Sequence, residues 1–134
     1  METRGLLPHG GPMHCIDRLL SSSKTKAVAE ADIIPGHSLL AGQTLDPAGY
    51  VELAAQTAAA MQGYDQYLQN LPPKSGFLVG VQDFSVFGQA AVGDTVRMEV
   101  ATEAELGEVT ILSAKVSRND QLLAEGTLKV FVPV

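Results

Sequence analysis

Hydrophobic and polar positions divide the chain into three stretches with different periods. From Gly5 to about Ile34, a turn-rich opening (Pro8-His9-Gly10-Gly11-Pro12) leads to Ile16, Leu19 and Leu20. A polar break, Ser21 to Lys26, separates these from a weak alternation, Ala27-Val28-Ala29-Glu30-Ala31-Asp32-Ile33. This pattern predicts a strand, a turn and a second strand. Asp46-Pro47 then predicts a helix start, because Asp accepts backbone N–H groups at an N-cap and Pro suits the first turn. Strong helix formers run on to about Leu68 or Asn70, where Pro72-Pro73 forbids continuation. Between Leu53 and Met61 only Gln56 and Thr57 interrupt an otherwise apolar run. A helix apolar nearly all the way round is expected to be buried on most sides.

From Gly76 to Val134 the period shortens to two. Phe77-Leu78-Val79-Gly80-Val81 is followed by Phe84, Val86 and Phe87, and Val96, Met98 and Val100 alternate with Arg97 and Glu99. Val92-Gly93-Asp94, Gly107-Glu108 and Asn119-Asp120 mark turns. Consecutive strands joined by short turns predict an antiparallel sheet. Strands, one long buried helix and then a run of strands make an α+β protein, with a sheet curling around the helix. The 134 residues suit one domain spanning 1–134, with no internal boundary or repeat.

Composition narrows the function classes. At 46% hydrophobic and 18% charged, the chain is expected to fold and not to be disordered. The net charge is -6 and no three basic residues are consecutive, which argues against nucleic acid as a partner. No segment reaches the roughly 20 apolar residues of a membrane span, and the first residues do not read as a signal peptide. A cytoplasmic location and no membrane partner are the resulting expectations. Cys15 is the single cysteine, so no internal disulfide or Cys-based zinc site is expected, and a buried inert thiol is the simplest reading. No metal-ligand spacing and no phosphate-cradling loop occur, so neither metal nor cofactor is expected.

Two residues remain as candidate chemistry. Glu52 falls within the apolar helix, where a carboxylate is expensive to bury unless it is hydrogen-bonded. A Glu this close to the helix start is also compatible with a solvated side chain held by the helix dipole. Gln56 lies four residues on, within reach of it on the same face. His37, in Pro35-Gly36-His37-Ser38, sits on a tight loop ahead of the helix, where a histidine is either solvated or aimed at a substrate.

Leu6-Leu7-Pro8-His9, Pro12-Met13, Ile16-Asp17-Arg18 and Leu20 resemble the opening of the bacterial 3-hydroxyacyl-acyl-carrier-protein dehydratases of the hotdog fold. Gly36-His37 resembles that family's histidine loop, and Glu52-Leu53-Ala54-Ala55-Gln56 resembles the start of its central helix. Gly80-Val81, Phe84, Val86 and Val92-Gly93-Asp94 extend the likeness to about Val130. The resemblance is greatest to a divergent, dehydratase-like branch. Some of its members serve aryl-polyene or other specialised acyl pathways, and some act as partners of an active subunit.

The resemblance implies a homodimer, or a higher oligomer of dimers, that takes an acyl thioester carried on acyl carrier protein or coenzyme A. It implies that His37 of one subunit removes a proton beside the thioester carbonyl, while Glu52 of the other helps the 3-hydroxyl leave. Backbone N–H groups at the helix start would polarise the carbonyl. The chain departs from the family there: Asp46-Pro47-Ala48 replaces Met-Pro-Gly, so Pro47 offers no N–H. Ala48 and Gly49 are then the candidate donors, with Gln56 as a further substrate-binding residue. His37 is also followed by Ser38-Leu39 where the family carries Phe-Pro. A hotdog thioesterase and a non-catalytic acyl-binding partner subunit are the alternative functions.

Overall fold

A computed structural model describes residues 15–69 and 77–131. The Leu6-Leu7-Pro8-His9 and Pro12-Met13 motifs and the Pro72-Pro73 helix stop lie outside those residues. The described elements are β1 (Arg18–Ser22), β2 (Lys26–Asp32), β3 (Leu40–Ala41), β4 (Thr44–Leu45), α1 (Pro47–Leu68), β5 (Phe77–Val86), β6 (Thr95–Leu106), β7 (Val109–Arg118) and β8 (Gln121–Phe131). Six strands form one curved antiparallel sheet in the order β1-β2-β6-β7-β8-β5. β3 and β4 make a separate two-stranded hairpin.

The turn residues expected from the sequence sit where strand direction reverses. β6 and β7 join at Gly107, with φ 65°, and β7 and β8 join at Asn119 and Asp120, with φ 49° and 65°. Positive φ at both central residues is the signature of a type I′ turn, whose twist matches that of the flanking strands. Two neighbour relations differ from the order along the chain: β2 pairs with β6, and β8 with β5. β5 pairs with β8 and not with β6, so the strand after the helix crosses to the far edge of the sheet.

Alternation places one face of each strand in the core. Ala27, Ala29 and Ala31 of β2 pair with Val100, Met98 and Val96 of β6, and all six are buried. Met98 and Val100 in turn face Val116 and Ala114 of β7. The helix lies across this apolar face and touches β1, β2, β5, β6 and β7. The small side chains of β2, together with Ala54 and Ala58 of the helix, are all buried and leave room for close packing. No residue from Gly49 to Asp65 is fully exposed, which agrees with the all-round apolar pattern of the run. Thr57, completely buried, donates its hydroxyl to the Leu53 carbonyl at 2.8 Å and so needs no outside partner. One long helix packed against a curved antiparallel sheet is the hotdog arrangement.

The two edges of the sheet differ. At the β1 edge, Arg18 spans to Asp32 with two bonds of 2.8 and 3.0 Å and to Glu30 at 3.3 Å. Asp17 accepts the Asp32 N–H at 2.7 Å. The Asp17-Arg18 pair therefore clamps the first two strands together. At the β5 edge, Leu78, Val79, Val81 and Val86 are exposed, as is Phe87 just beyond the strand. Asp83, with φ 54°, bulges this strand and presses Phe84 onto Gly126 of β8. A Cβ at Gly126 would meet the Phe84 Cα at 2.6 Å, so only glycine fits there.

Candidate active site

The helix entrance is built by Asp46. Its Oδ1 accepts the Ala48 N–H at 2.9 Å and its carbonyl accepts the Gly49 N–H at 2.7 Å. Pro47 has no N–H to give. The two groups expected to face a substrate carbonyl, those of Ala48 and Gly49, are thus donated inside the chain. Gly49 is also packed under the small hairpin: a Cβ there would stand 3.1 Å from Leu45 Cγ and 3.2 Å from Leu39 Cβ. The Leu45 N–H reaches the Ala90 carbonyl at 2.8 Å, and the Asp46 N–H reaches Leu39 at 2.9 Å, fixing the hairpin against the helix start.

One and a half turns in, Glu52 is half-buried. The Gln56 amide donates from Nε2 to Glu52 Oε1 at 2.9 Å, as their spacing predicts. Gln56 is only 2% exposed, and its Oε1 accepts the Cys15 N–H at 2.8 Å. That second bond settles the orientation of the amide, because a backbone N–H can only meet its oxygen. Gln56 thus holds Glu52 Oε1 from a buried, oriented amide.

His37 stands on the loop between β2 and β3. The His37 N–H returns to the Ile34 carbonyl at 3.1 Å around Pro35 and Gly36, and Gly36 has φ 81°. Pro followed by a positive-φ Gly is a type II turn. The half-buried imidazole accepts the Leu39 N–H at Nδ1, 3.2 Å away. Next to it, Ser38 Oγ lies 3.4 Å from Cys15 Sγ. The histidine loop and the glutamate helix are accordingly joined by a relay through Ser38, Cys15, Gln56 and Glu52. Within one chain no hydrogen bond joins His37 to Glu52 among the described residues.

Cys15 is buried, and burial pushes its thiol up from the usual range, with nearby Glu52 adding to the rise. It is a poor thiolate, in keeping with the inert thiol expected from the sequence. Its backbone role in the relay had no signal in the sequence, since a main-chain N–H looks the same at every residue. A cavity of about 210 Å³ lies beside the C-terminal half of the helix, floored by Ala58, Met61, Leu112 and Val130; neither His37 nor Glu52 lines it. Among the described residues no helix is long and apolar enough to cross a membrane, and no three His, Cys, Asp or Glu side chains converge as a metal site would require.

The described residues thus form a hotdog scaffold whose central helix carries a glutamine-bound carboxylate. The model of the ApeP-like family, described as ApeP dehydratase, matches residues 1–134, and the chain belongs to that family. Among solved structures, the dehydratase heterocomplex ApeI:P from Xenorhabdus doucetiae is 15% identical with a TM-score of 0.92. That match covers 100% of this chain and 92% of the other. A hypothetical thioesterase with coenzyme A from Streptococcus pneumoniae TIGR4 is 8% identical with a TM-score of 0.68, covering 87% and 84%. The smu.793 protein of Streptococcus mutans UA159, bound to acetyl CoA, is 13% identical with a TM-score of 0.68, covering 88% of each chain. No curated protein matches the sequence.

Proposed function

We propose that this chain dehydrates 3-hydroxyacyl thioesters, in the cytoplasm, with His37 and Glu52 as its catalytic residues. The observation that carries the reading is the anchored carboxylate. Glu52 has one oxygen held by a buried, oriented glutamine, and a single relay ties it to the loop that bears His37. Dehydration needs a group that handles the proton on C2 and a group facing the C3 hydroxyl or the carbonyl, over adjacent carbons. Membership of the ApeP-like family supports the same chemistry.

His37 and Glu52 share no bond within one chain, so the working site combines His37 of one chain with a carboxylate helix of another. The exposed apolar edge at β5 is where such an assembly would form, since an edge with large apolar side chains and no further strand among the described residues favours strand pairing. A second copy of the chain is the simplest partner; the relative known as a heterocomplex supports a related, non-identical subunit as well. The thioester is carried by acyl carrier protein or coenzyme A, in fatty-acid or related acyl metabolism. Arg18 is committed to Asp32 and Glu30, and Arg97 also meets Glu30 at 3.5 Å, so the exposed Lys115 is better placed to meet an acidic carrier.

A second reading rests on the helix entrance. With Pro47 lacking an N–H and those of Ala48 and Gly49 given to Asp46, the chain would bind acyl groups as a non-catalytic partner subunit. The deciding assay is hydration and dehydration of short and medium enoyl and 3-hydroxyacyl thioesters, with wild type beside His37→Ala and Glu52→Gln. General acid–base groups contribute about 10²- to 10⁴-fold each, so both variants should fall at least ~100-fold. A folded wild-type assembly that binds thioesters without turnover would sink the dehydratase reading in favour of the partner subunit.

A further inference from the structure

The Val92-Gly93-Asp94 turn carries no group of the catalytic pair, yet its main chain is tied to the segment that bears His37. We infer that Arg118 and Asp94 are positioning residues for His37: together they brace the loop between β5 and β6, and that loop fixes where the histidine stands. This rests on the dehydratase reading above.

Side chains hold the loop on its sheet side. Asp94 Oδ2 accepts the Ala91 N–H at 2.8 Å, and the Asp94 N–H returns to the Ala91 carbonyl at 3.0 Å, which closes the loop on itself. Arg118, at the end of β7, donates through Nη1 to Asp94 Oδ2 at 2.7 Å and to the Gln89 carbonyl at 2.8 Å. Its Nη2 reaches Gln121 Oε1 across the β7–β8 turn at 3.2 Å. A guanidinium is planar and presents its donors in a fixed fork, so one side chain grips both ends of the loop in a single geometry.

Main-chain bonds tie the other side of the loop to the histidine segment. The Ile33 N–H reaches the Asp94 carbonyl and the Gly93 N–H reaches the Ile33 carbonyl, both at 2.8 Å. Further along, the Val92 N–H reaches the Gln43 carbonyl at 3.1 Å, Thr44 bridges to Ala91, and the Leu45 N–H reaches the Ala90 carbonyl at 2.8 Å. Ile33 stands just before the turn that presents His37, and Leu45 just before the helix cap Asp46. Both ends of the segment are fastened to one short loop, and His37 rides between them. The loop begins beside Phe87, on the exposed apolar edge proposed above for assembly. It therefore sets His37 relative to the edge across which the other chain's carboxylate would arrive.

Such a brace matters more to rate than to folding. The side chains of Arg118 and Asp94 are 24% and 27% exposed, so water screens their attraction and the pair adds little to global stability. Geometry is less forgiving, because a reacting group misplaced by ~1 Å costs about 10²-fold in rate.

The test uses the full chain in its purified assembly, with hydration of an enoyl thioester as the assay. Arg118→Met keeps the bulk and loses the donors. It should lower kcat about 10- to 100-fold and leave KM within ~3-fold, since Arg118 meets no substrate. Tm should stay within ~5 °C of wild type. The loss should vanish in a His37→Ala background, because a residue that acts through His37 then has nothing left to position. Arg118→Lys, which keeps a cation for Asp94, should recover most of it. Amide hydrogen exchange gives a readout independent of turnover: Ile33, His37 and Leu40 should exchange faster in Arg118→Met, while the amides of β6 and β7 keep their wild-type rates. A wild-type kcat in Arg118→Met, an equal loss in the His37→Ala background, or unchanged exchange at Ile33 overturns the inference. Should Arg118→Met not fold, Asp94→Asn takes its place with the same outcomes, since it keeps an acceptor for Ala91 and loosens the hold of Arg118. An inactive wild type overturns the dehydratase reading instead, and the exchange pattern still decides whether Arg118 holds the histidine segment.

Discussion

Tyr50→Phe removes one oxygen from the most buried aromatic side chain of the molecule's helix start, and its effect can be worked out group by group. The Tyr50 ring is 1% exposed. Its hydroxyl accepts the Ala90 N–H at 2.9 Å and donates to the Gly88 carbonyl at 3.2 Å. Ala90 is fully buried, so its N–H would lose its acceptor with no water to replace it. A buried donor left without a partner costs about 1–3 kcal/mol. Gly88 is only half-buried, so water can take over at its carbonyl, and that loss adds little. The expected total is about 2 kcal/mol. For a domain of 134 residues, ~1 kcal/mol moves Tm by roughly 3–5 °C, so a fall of about 6–10 °C should follow. Thermal unfolding at fixed protein concentration measures it, because assembly would otherwise shift Tm. Hydrogen exchange adds a local readout. Ala90 also accepts from Leu45, next to the Asp46 cap, so amides at Ala90 and Leu45 should exchange faster than those of β6 and β7. A stability loss under about 0.5 kcal/mol would refute the argument, since it would mean that the hydroxyl is not the partner Ala90 depends on.

Three further outcomes are expected. Asp46→Ala strips the acceptor from the Ala48 N–H and should lower stability by about 1 kcal/mol, the usual loss for an N-cap, as read by denaturant midpoint. Gly126→Ala forces a methyl against the Phe84 backbone and should lose roughly 1–3 kcal/mol, whereas Gly93→Ala, facing open space, carries only the strain of its φ. Asp94 is held below the usual carboxylate range by the Ala91 N–H and then by Arg118, and Asp32 by Arg18. A depressed folded-state value means that this stabilisation is complete above the unfolded value near 3.8 and is lost as pH falls from there through the folded value. Asp94→Asn should therefore flatten the acid limb of the stability curve below about pH 4 and leave its slope at neutral pH unchanged.

Local rules made the helix and the hairpins legible, because Asp46-Pro47 and Asn119-Asp120 act within a few residues of themselves. The Glu52–Gln56 bond was legible for the same reason: both side chains ride one helix face. What escaped was long-range or main-chain. Pairing of β5 with β8 depends on a crossover that no local pattern encodes. The hairpin of Leu40–Ala41 and Thr44–Leu45 is too short to show a period. Cys15 reaches Gln56 through its backbone, across 41 positions. The Asp83 bulge is a conformation at positive φ that Asp tolerates but does not announce. The resemblance supplied the candidate residues; the hydrogen bonds show how Asp46 and Gln56 hold their neighbours.

The uncovered β5 edge has a consequence for the life of the chain before it meets any partner. Leu78, Val79, Val81, Val86 and Phe87 present their apolar surface to water as soon as the fold closes. Such a strand recruits whatever other edge it first encounters, and crowding in the cell makes that encounter quick. A newly made copy is thus on a clock. Its survival depends on how much of the right counterpart is already present, and synthesis in excess would be cleared as aggregate or by proteolysis.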